Sequence, residues 1–244
     1  RDVIFGRKSN AELSDKARAL GQYDATLKVF AVEGERTKGR YTWISHILSS
    51  GSEIAGQAWW RYRCTGDREW LRKVAYPLLR DTVEFYRHYA KKGEDGKYHI
   101  YPANVHEYFW GVRDGIMDLA AIRGNVPLAI RAAEILGVDE DLRAAWRELL
   151  DNLAPYPMGS DPGSKELAAG VLAEDAWSAG HYVDVKGGHN GEQVWMTPVF
   201  QFEDYTLETE DDELRRIAER TYEALPRRRR FLSGLQRGHW LRIP

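Results

Sequence analysis

A carboxylic acid set among aromatic rings is the most chemically suggestive arrangement in this chain: Asn104-Val105-His106-Glu107-Tyr108-Phe109-Trp110. Beside three rings Glu107 would be partly desolvated, and desolvation raises a carboxyl pKa because it penalises the charged form. A carboxyl that keeps its proton near neutrality is what a general acid requires. The same Glu can instead pair with Arg113 or cap the helix that follows. A second arrangement, His189-Asn190-Gly191-Glu192-Gln193-Val194-Trp195 followed by Thr197-Pro198-Val199-Phe200-Gln201-Phe202-Glu203-Asp204, sets polar groups in an aromatic loop. That combination suits a polyol, which demands many hydrogen bonds and a ring to stack on. An ordinary, internally satisfied polar loop has the same composition.

Other chemistries are poorly served. His106-Glu107 begins like a zinc-protease helix, but Trp110 stands where the second His belongs. Asp139-Glu140-Asp141 lacks the Gly and closing Glu of a calcium loop and reads better as a helix N-terminus. No phosphate-cradling Gly-rich loop, dinucleotide fingerprint or GxSxG elbow occurs, so neither a metal nor an organic cofactor is expected. One cysteine in 244 residues, Cys64, excludes a disulfide scaffold. No apolar run approaches the ~20 residues that span a bilayer, so no membrane partner is expected.

Charge is unevenly spread. Residues 226–244 carry +6, all from arginine, while the remainder carries -8. A body of that sign repels a phosphate backbone, so nucleic acid is not an expected partner. The basic stretch reads as a solvated or non-native end, which divides the chain into a domain over 1–225 and a tail over 226–244. An aromatic content of 12%, with nine Trp, exceeds what a core alone needs and suits a carbohydrate partner. Compartment and oligomeric state stay open.

The elements that must position these groups are helices. Ile44, Ile47, Leu48, Ile54, Ala55, Ala58, Trp59 and Tyr62 recur at helical spacing over 42–64. Thr65-Gly66-Asp67 breaks that stripe, with Asp67 as the next N-cap. A second helix over 68–91 buries Leu71, Leu79, Val83 and Tyr86, with a kink or short break expected at Pro77. A three-residue turn makes the two antiparallel, an αα-hairpin. The pattern recurs over 114–136, with Pro127 inside it, and 140–152, closed by Gly137-Val138-Asp139. A helix over 211–225 carries Leu214, Ile217, Ala218, Tyr222 and Leu225. Asp67, Asp139 and Asp211 fall 72 residues apart, as caps of a repeated hairpin. The segments 93–112 and 153–208 read as long irregular loops, the first holding a turn over 93–96 and a short extended stretch, Tyr98-His99-Ile100-Tyr101, that ends at Pro102; such length usually signals function or disorder.

At these residues the chain resembles a known family. Ala58-Trp59-Trp60, Arg61-Tyr62-Arg63-Cys64-Thr65-Gly66-Asp67, Ala75-Tyr76-Pro77-Leu78-Leu79 and Glu84-Phe85-Tyr86 are similar to the catalytic domain of glycoside hydrolase family 95, the α-L-fucosidase and α-L-galactosidase family. Ile116-Met117-Asp118 and Ala132-Ala133-Glu134-Ile135-Leu136-Gly137 continue the likeness, which covers 42–225. It implies an all-α fold, antiparallel αα-hairpins forming part of an (α/α)6 toroid, and an inverting hydrolase of the α-L-fucosidase-like type. The family acid maps onto Glu107, although the Ser-Pro before it and the Asn after it are missing. Asn104 and His106 would hold that Glu or a sugar hydroxyl, Trp110 and Trp195 would stack on a sugar, and His189 and Glu192 would add polar contacts. The family base and an Asn pair are expected outside residues 1–244. Phe200-Gln201-Phe202-Glu203-Asp204 echoes the base motif but lies too close to Glu107. Six hairpins of about 70 residues need roughly 400, so a fragment is expected.

Two rival readings remain. A polysaccharide lyase or sugar epimerase on a similar toroid would use His106, Tyr108 and Arg113. A helical repeat scaffold or sugar-binding remnant would bind without turnover.

Overall fold

The computed structural model describes residues 47–106, 109–162, 173–182, 194–206 and 208–235. Helix α1 spans Ser50–Thr65 and ends on Gly66, whose φ of 66° gives the left-handed turn that closes a helix cheaply only with glycine. Its first residue is Ser50 and residues 47–49 are not helical, so the helix starts later than expected from the apolar stripe; residues 42–46 lie outside the described residues. The Asp67 carboxylate accepts hydrogen bonds from the Glu69 and Trp70 amides, both at 3.0 Å, and so caps α2.

Helix α2 begins as Arg68–Trp70, widens into a π-helical segment over Leu71–Ala75 and continues as Tyr76–Tyr89. The expected break at Pro77 is thus a π-bulge. Proline has no N–H to return to the preceding turn, and the bulge absorbs the misfit by letting Tyr76 N–H reach back to the Leu71 carbonyl. The chain then makes a short hairpin, β1 Lys91–Lys92 with β2 Tyr98–His99, around the Gly93–Gly96 turn.

The stretch expected to be irregular is partly sheet. Strands β3 (Ala103–Val105) and β4 (Phe109–Arg113) pair antiparallel, and β5 (His181–Tyr182) adds to the far edge of β4. Helix α3 (Ile116–Leu136) follows and passes through Pro127 without interruption, ending on Gly137 at φ 68°. Helix α4 (Glu140–Asp151) returns antiparallel. A 3₁₀ turn over Val194–Met196 leads into the single-turn α5 (Thr197–Phe200). Helix α6 (Asp212–Leu235) runs ten residues beyond its expected end, across the 225/226 boundary without a break.

The repeat of caps is imperfect. Asp211 caps α6 through the Glu213 and Leu214 amides at 3.0 and 2.9 Å. The Asp139 side chain does not cap α4: the residue sits at φ 52°, and only its backbone carbonyl bonds to that helix, accepting the Arg143 N–H at 3.1 Å. Its carboxylate instead accepts the Tyr76 hydroxyl, tying the second hairpin back to α2.

Two clusters make up the core. Helices α1 to α4 enclose Leu71, Leu79, Tyr86, Leu119, Ile122 and Trp146. The small sheet, the start of α3 and α6 enclose Val105, Phe109, Val112, Met117, Trp177 and Trp195. Trp146 is fully buried, yet its indole N–H is satisfied by Glu84 at 2.7 Å. Ile54 and Tyr222, expected in apolar stripes, lie outside both clusters and are 56% and 62% exposed. Both belong to helix faces that nothing among the described residues covers. The architecture is mainly helical, built of antiparallel αα-hairpins of the kind that make up an (α/α)6 toroid.

Candidate active site

The acid-bearing loop is held by a bulged hairpin. Ala103 pairs with Val112 and Val105 with Phe109, so β4 carries one residue more than β3 between the two pairs. Gly111 takes a positive φ of 63° in that interval. Asn104, opposite the bulge, is 1% exposed and accepts the Gly111 N–H at 3.2 Å. Asn104 therefore helps build the hairpin, whatever else it does. His106, at φ 53°, turns the chain out of β3. Glu107 and Tyr108 lie outside the described residues, as do His189 and Glu192. Trp110 is placed on β4 by its backbone.

The tertiary fold joins the two regions singled out from sequence. His106 from the first and Val194, Met196, Thr197, Phe200 and Gln201 from the second line one cavity of about 210 Å³, with Met117 of α3. Helix α3 carries one rim of this cavity through Met117 and the 3₁₀ turn the other through Val194 and Met196. Trp195 does not act there as a stacking platform. It is 2% exposed and packs edge-on against Phe109, ring centroids 5.9 Å apart. A large ring next to two apolar neighbours, Val194 and Met196, gains more from the core than from water, and the short 3₁₀ turn directs it inward.

A wider cavity, about 510 Å³, shares Phe200 and Gln201 with the first and runs between α1 and α3. It mixes amides (Gln57, Asn125), charges (Arg63, Asp204) and the half-exposed Trp60, a lining able to hydrogen-bond hydroxyls and stack on a sugar face. The Arg63 guanidinium stands 5.3 Å over the Trp60 ring. Asp204 accepts the Tyr156 hydroxyl at 2.8 Å, and burial nevertheless raises its carboxyl pKa.

Sequence reasoning missed a polar cluster at the opposite end of β4. Asp114 is 1% exposed, accepts the Ile100 amide at 2.9 Å and faces His99 at 2.7 Å and His181 at 3.7 Å. His181 also meets Asp161 at 3.1 Å, and His99 meets Asp95 at 3.2 Å. Burial works to raise the Asp114 pKa, but His181, His99 and the Ile100 amide outweigh it and hold it below the usual carboxylate range. His181 is raised chiefly by Asp114, against burial and with help from Asp161. His99 is raised too: burial opposes charge there, and Asp114 and Asp95 overcome it. No spacing rule links residues 95, 99, 114, 161 and 181. Among the described residues no group of three or more His, Cys, Asp or Glu is placed to hold a metal ion. No described helix is long and apolar enough to cross a membrane.

The helical hairpins and the loop between them place this chain beside characterised enzymes. The model of the glycosyl hydrolase family 95 catalytic domain matches residues 25–185. The chain belongs to that family. Within it, the chain is 32% identical to a kojibiose hydrolase of Flavobacterium johnsoniae, with 57% of this chain and 21% of that protein covered. It is 26% identical to alpha-L-fucosidase 2 of Arabidopsis thaliana, over 47% of this chain and 18% of that one. A kojibiose hydrolase of Mucilaginibacter mallensis is 28% identical over 48% and 17% respectively. The chain thus spans about a fifth of the length of these curated relatives. The relatives' differing names leave the sugar open.

Proposed function

We propose that this chain is part of an inverting family 95 glycoside hydrolase that cleaves a terminal sugar, with Glu107 as the general acid. The observation that carries the reading is the shared cavity: the hairpin bearing residue 107, which lies within the family match over 25–185, and the 194–201 segment, which follows it, meet at one hollow. Glu107 donates its proton to the glycosidic oxygen as the bond from that oxygen to the anomeric carbon breaks. Water attacks the opposite face of that carbon and gives its proton to a carboxylate base roughly 6.5–9.5 Å from the acid. The leaving group departs as an alcohol and the sugar as a hemiacetal, and the anomeric configuration inverts.

His106, on the cavity wall, orients Glu107 or a sugar hydroxyl, and Asn104 keeps the hairpin in register. Trp110, His189 and Glu192 complete the sugar contacts. The relatives' names favour an α-L-fucoside or an α-linked disaccharide as substrate class. The test is Glu107→Gln in the parent protein. Hydrolysis of glycosides with poor leaving groups is lost while sugar binding is retained, and NMR of the wild-type product reports the inverted anomer. Undiminished turnover by the variant removes Glu107 from the role.

A further inference from the structure

Beneath the hairpin that carries residues 106–108 stands a column of buried groups. Val105 is fully buried and packs directly over Gly115, where a methyl group would lie 2.6 Å from the Val105 Cγ2. The same methyl position is 3.1 Å from the Oδ2 of Asp118. Asp118 is in the first turn of α3 and is 1% exposed. Its Oδ1 accepts the hydroxyl of Tyr86, itself buried on α2, at 2.8 Å. Its Oδ2 has no hydrogen-bond partner among the described residues.

One donor cannot solvate a carboxylate that is shut away from water, whereas a neutral acid tolerates such a place. Burial carries the Asp118 carboxyl up to about 7, with the Tyr86 hydrogen bond opposing and the charge of Asp114 adding to the rise. The groups that face this pair are acids and phenols: Asp114 at the exit of β4, and Glu53 of α1 and Tyr89 of α2 beyond Tyr86. The histidines that face Asp114, His99 and His181, meet its far side.

The structure assigns Asp118 a positioning role: as an uncharged acid it lets the first turn of α3 close against Gly115 and Val105, and so fixes the β3–β4 hairpin. That this hairpin presents a catalytic acid rests on the proposed function, but its dependence on Asp118 does not. Ionisation would place a charge with a single donor at the foot of the column. The least costly relief is to part Val105 from Gly115 and admit water, which frees the hairpin. Asp118 touches no substrate and acts only through Val105 and the strands.

Hydrogen exchange of the whole chain between pH 4.5 and 8.5, each rate divided by the intrinsic rate at that pH, tests this. In the wild type, protection of residues 103–113 falls with rising pH by up to about tenfold per unit, the limit set by one proton. Asp118's part of the fall levels off near pH 7, where it is ionised in the closed state as well, and His99→Gln with His181→Gln removes what the histidines add above that pH. The reference segment α4 shows no such fall. Asp118→Asn, the isostere of the neutral acid, flattens the profile of 103–113. Tyr86→Phe removes the one donor to the carboxylate and moves the levelling point to higher pH. This second variant decides the matter by itself if the first does not fold. An unchanged profile in Asp118→Asn, an unmoved levelling point in Tyr86→Phe, or an equal fall in α4 overturns the assignment. Exchange needs no turnover, so loss of the hydrolase reading through Glu107→Gln leaves this result standing.

Discussion

Gly124, in the middle of α3, lies directly beneath Phe202: a Cβ added to Gly124 would stand 2.4 Å from the Phe202 carbonyl oxygen. Backbone therefore meets helix without a side chain between them, and this approach brings Gln201 and Asp204 to the rim of the larger cavity. Gly124→Ala must push the 200–204 segment outward, because the obstructing atom is main chain and has no rotamer to escape into. The expected cost is about 1–3 kcal/mol of stability. Thermal unfolding measures it, and a variant as stable as the wild type would show that the approach is looser than described.

Removing the acid tests the site itself. Glu107→Gln in the parent protein should lower kcat on substrates with poor leaving groups on the order of 10²–10⁴-fold, with KM little changed. Activated aryl glycosides, which need less protonation, should lose much less. Equal losses on both substrate types would mean that residue 107 supports binding or folding and not proton transfer.

The cluster around Asp114 predicts a stability maximum in mildly acidic solution. The folded-state pKa values of His99 and His181 are raised above the ordinary histidine value of 6.5, so their contribution is complete below that pH and is lost as pH rises through the raised values. Asp114 is depressed below 3.8, so its contribution is present above that pH and is lost as pH falls through the depressed value. Melting temperatures across pH 3 to 9 should therefore peak between these limits. In His99→Gln with His181→Gln the decline on the alkaline side should flatten. An unaltered alkaline limb in the double variant would separate the histidines from the cluster.

The three periodic aspartates should behave differently. Asp67→Ala and Asp211→Ala each leave two helix amides without their acceptor and should cost about 1 kcal/mol. Asp139→Gly should cost less than either: it surrenders the Tyr76 hydrogen bond but relieves the positive φ of 52°. Matched denaturation curves would check the order, and three equal losses would restore Asp139 as a cap.

Local rules made much of the scaffold readable. Gly66 and Gly137 stop their helices, Asp67 and Asp211 start theirs, and Pro77 disturbs α2, because caps and breakers act within a few residues of themselves. The strands β3 and β4 were not readable, since each is short and gains its pairing from residues that could equally form a loop. Tyr98-His99 was legible as extended chain, but not as one half of a hairpin. The apolar stripes were right for Ala58 and Trp59 and wrong for Ile54, because periodicity names a face without saying what covers it.

The sequence by itself determined the helical hairpins, the order of the motifs that mark family 95, and the candidacy of Glu107. These depend on residue type and short spacing, which are written in the chain directly. Only the tertiary structure decided that His106 and the 194–201 segment share a cavity, that Trp195 is a core ring, and that Asp118 stands buried beneath Val105. Each of those facts depends on contacts between segments far apart in the chain, where burial, not spacing, sets the environment and therefore the chemistry.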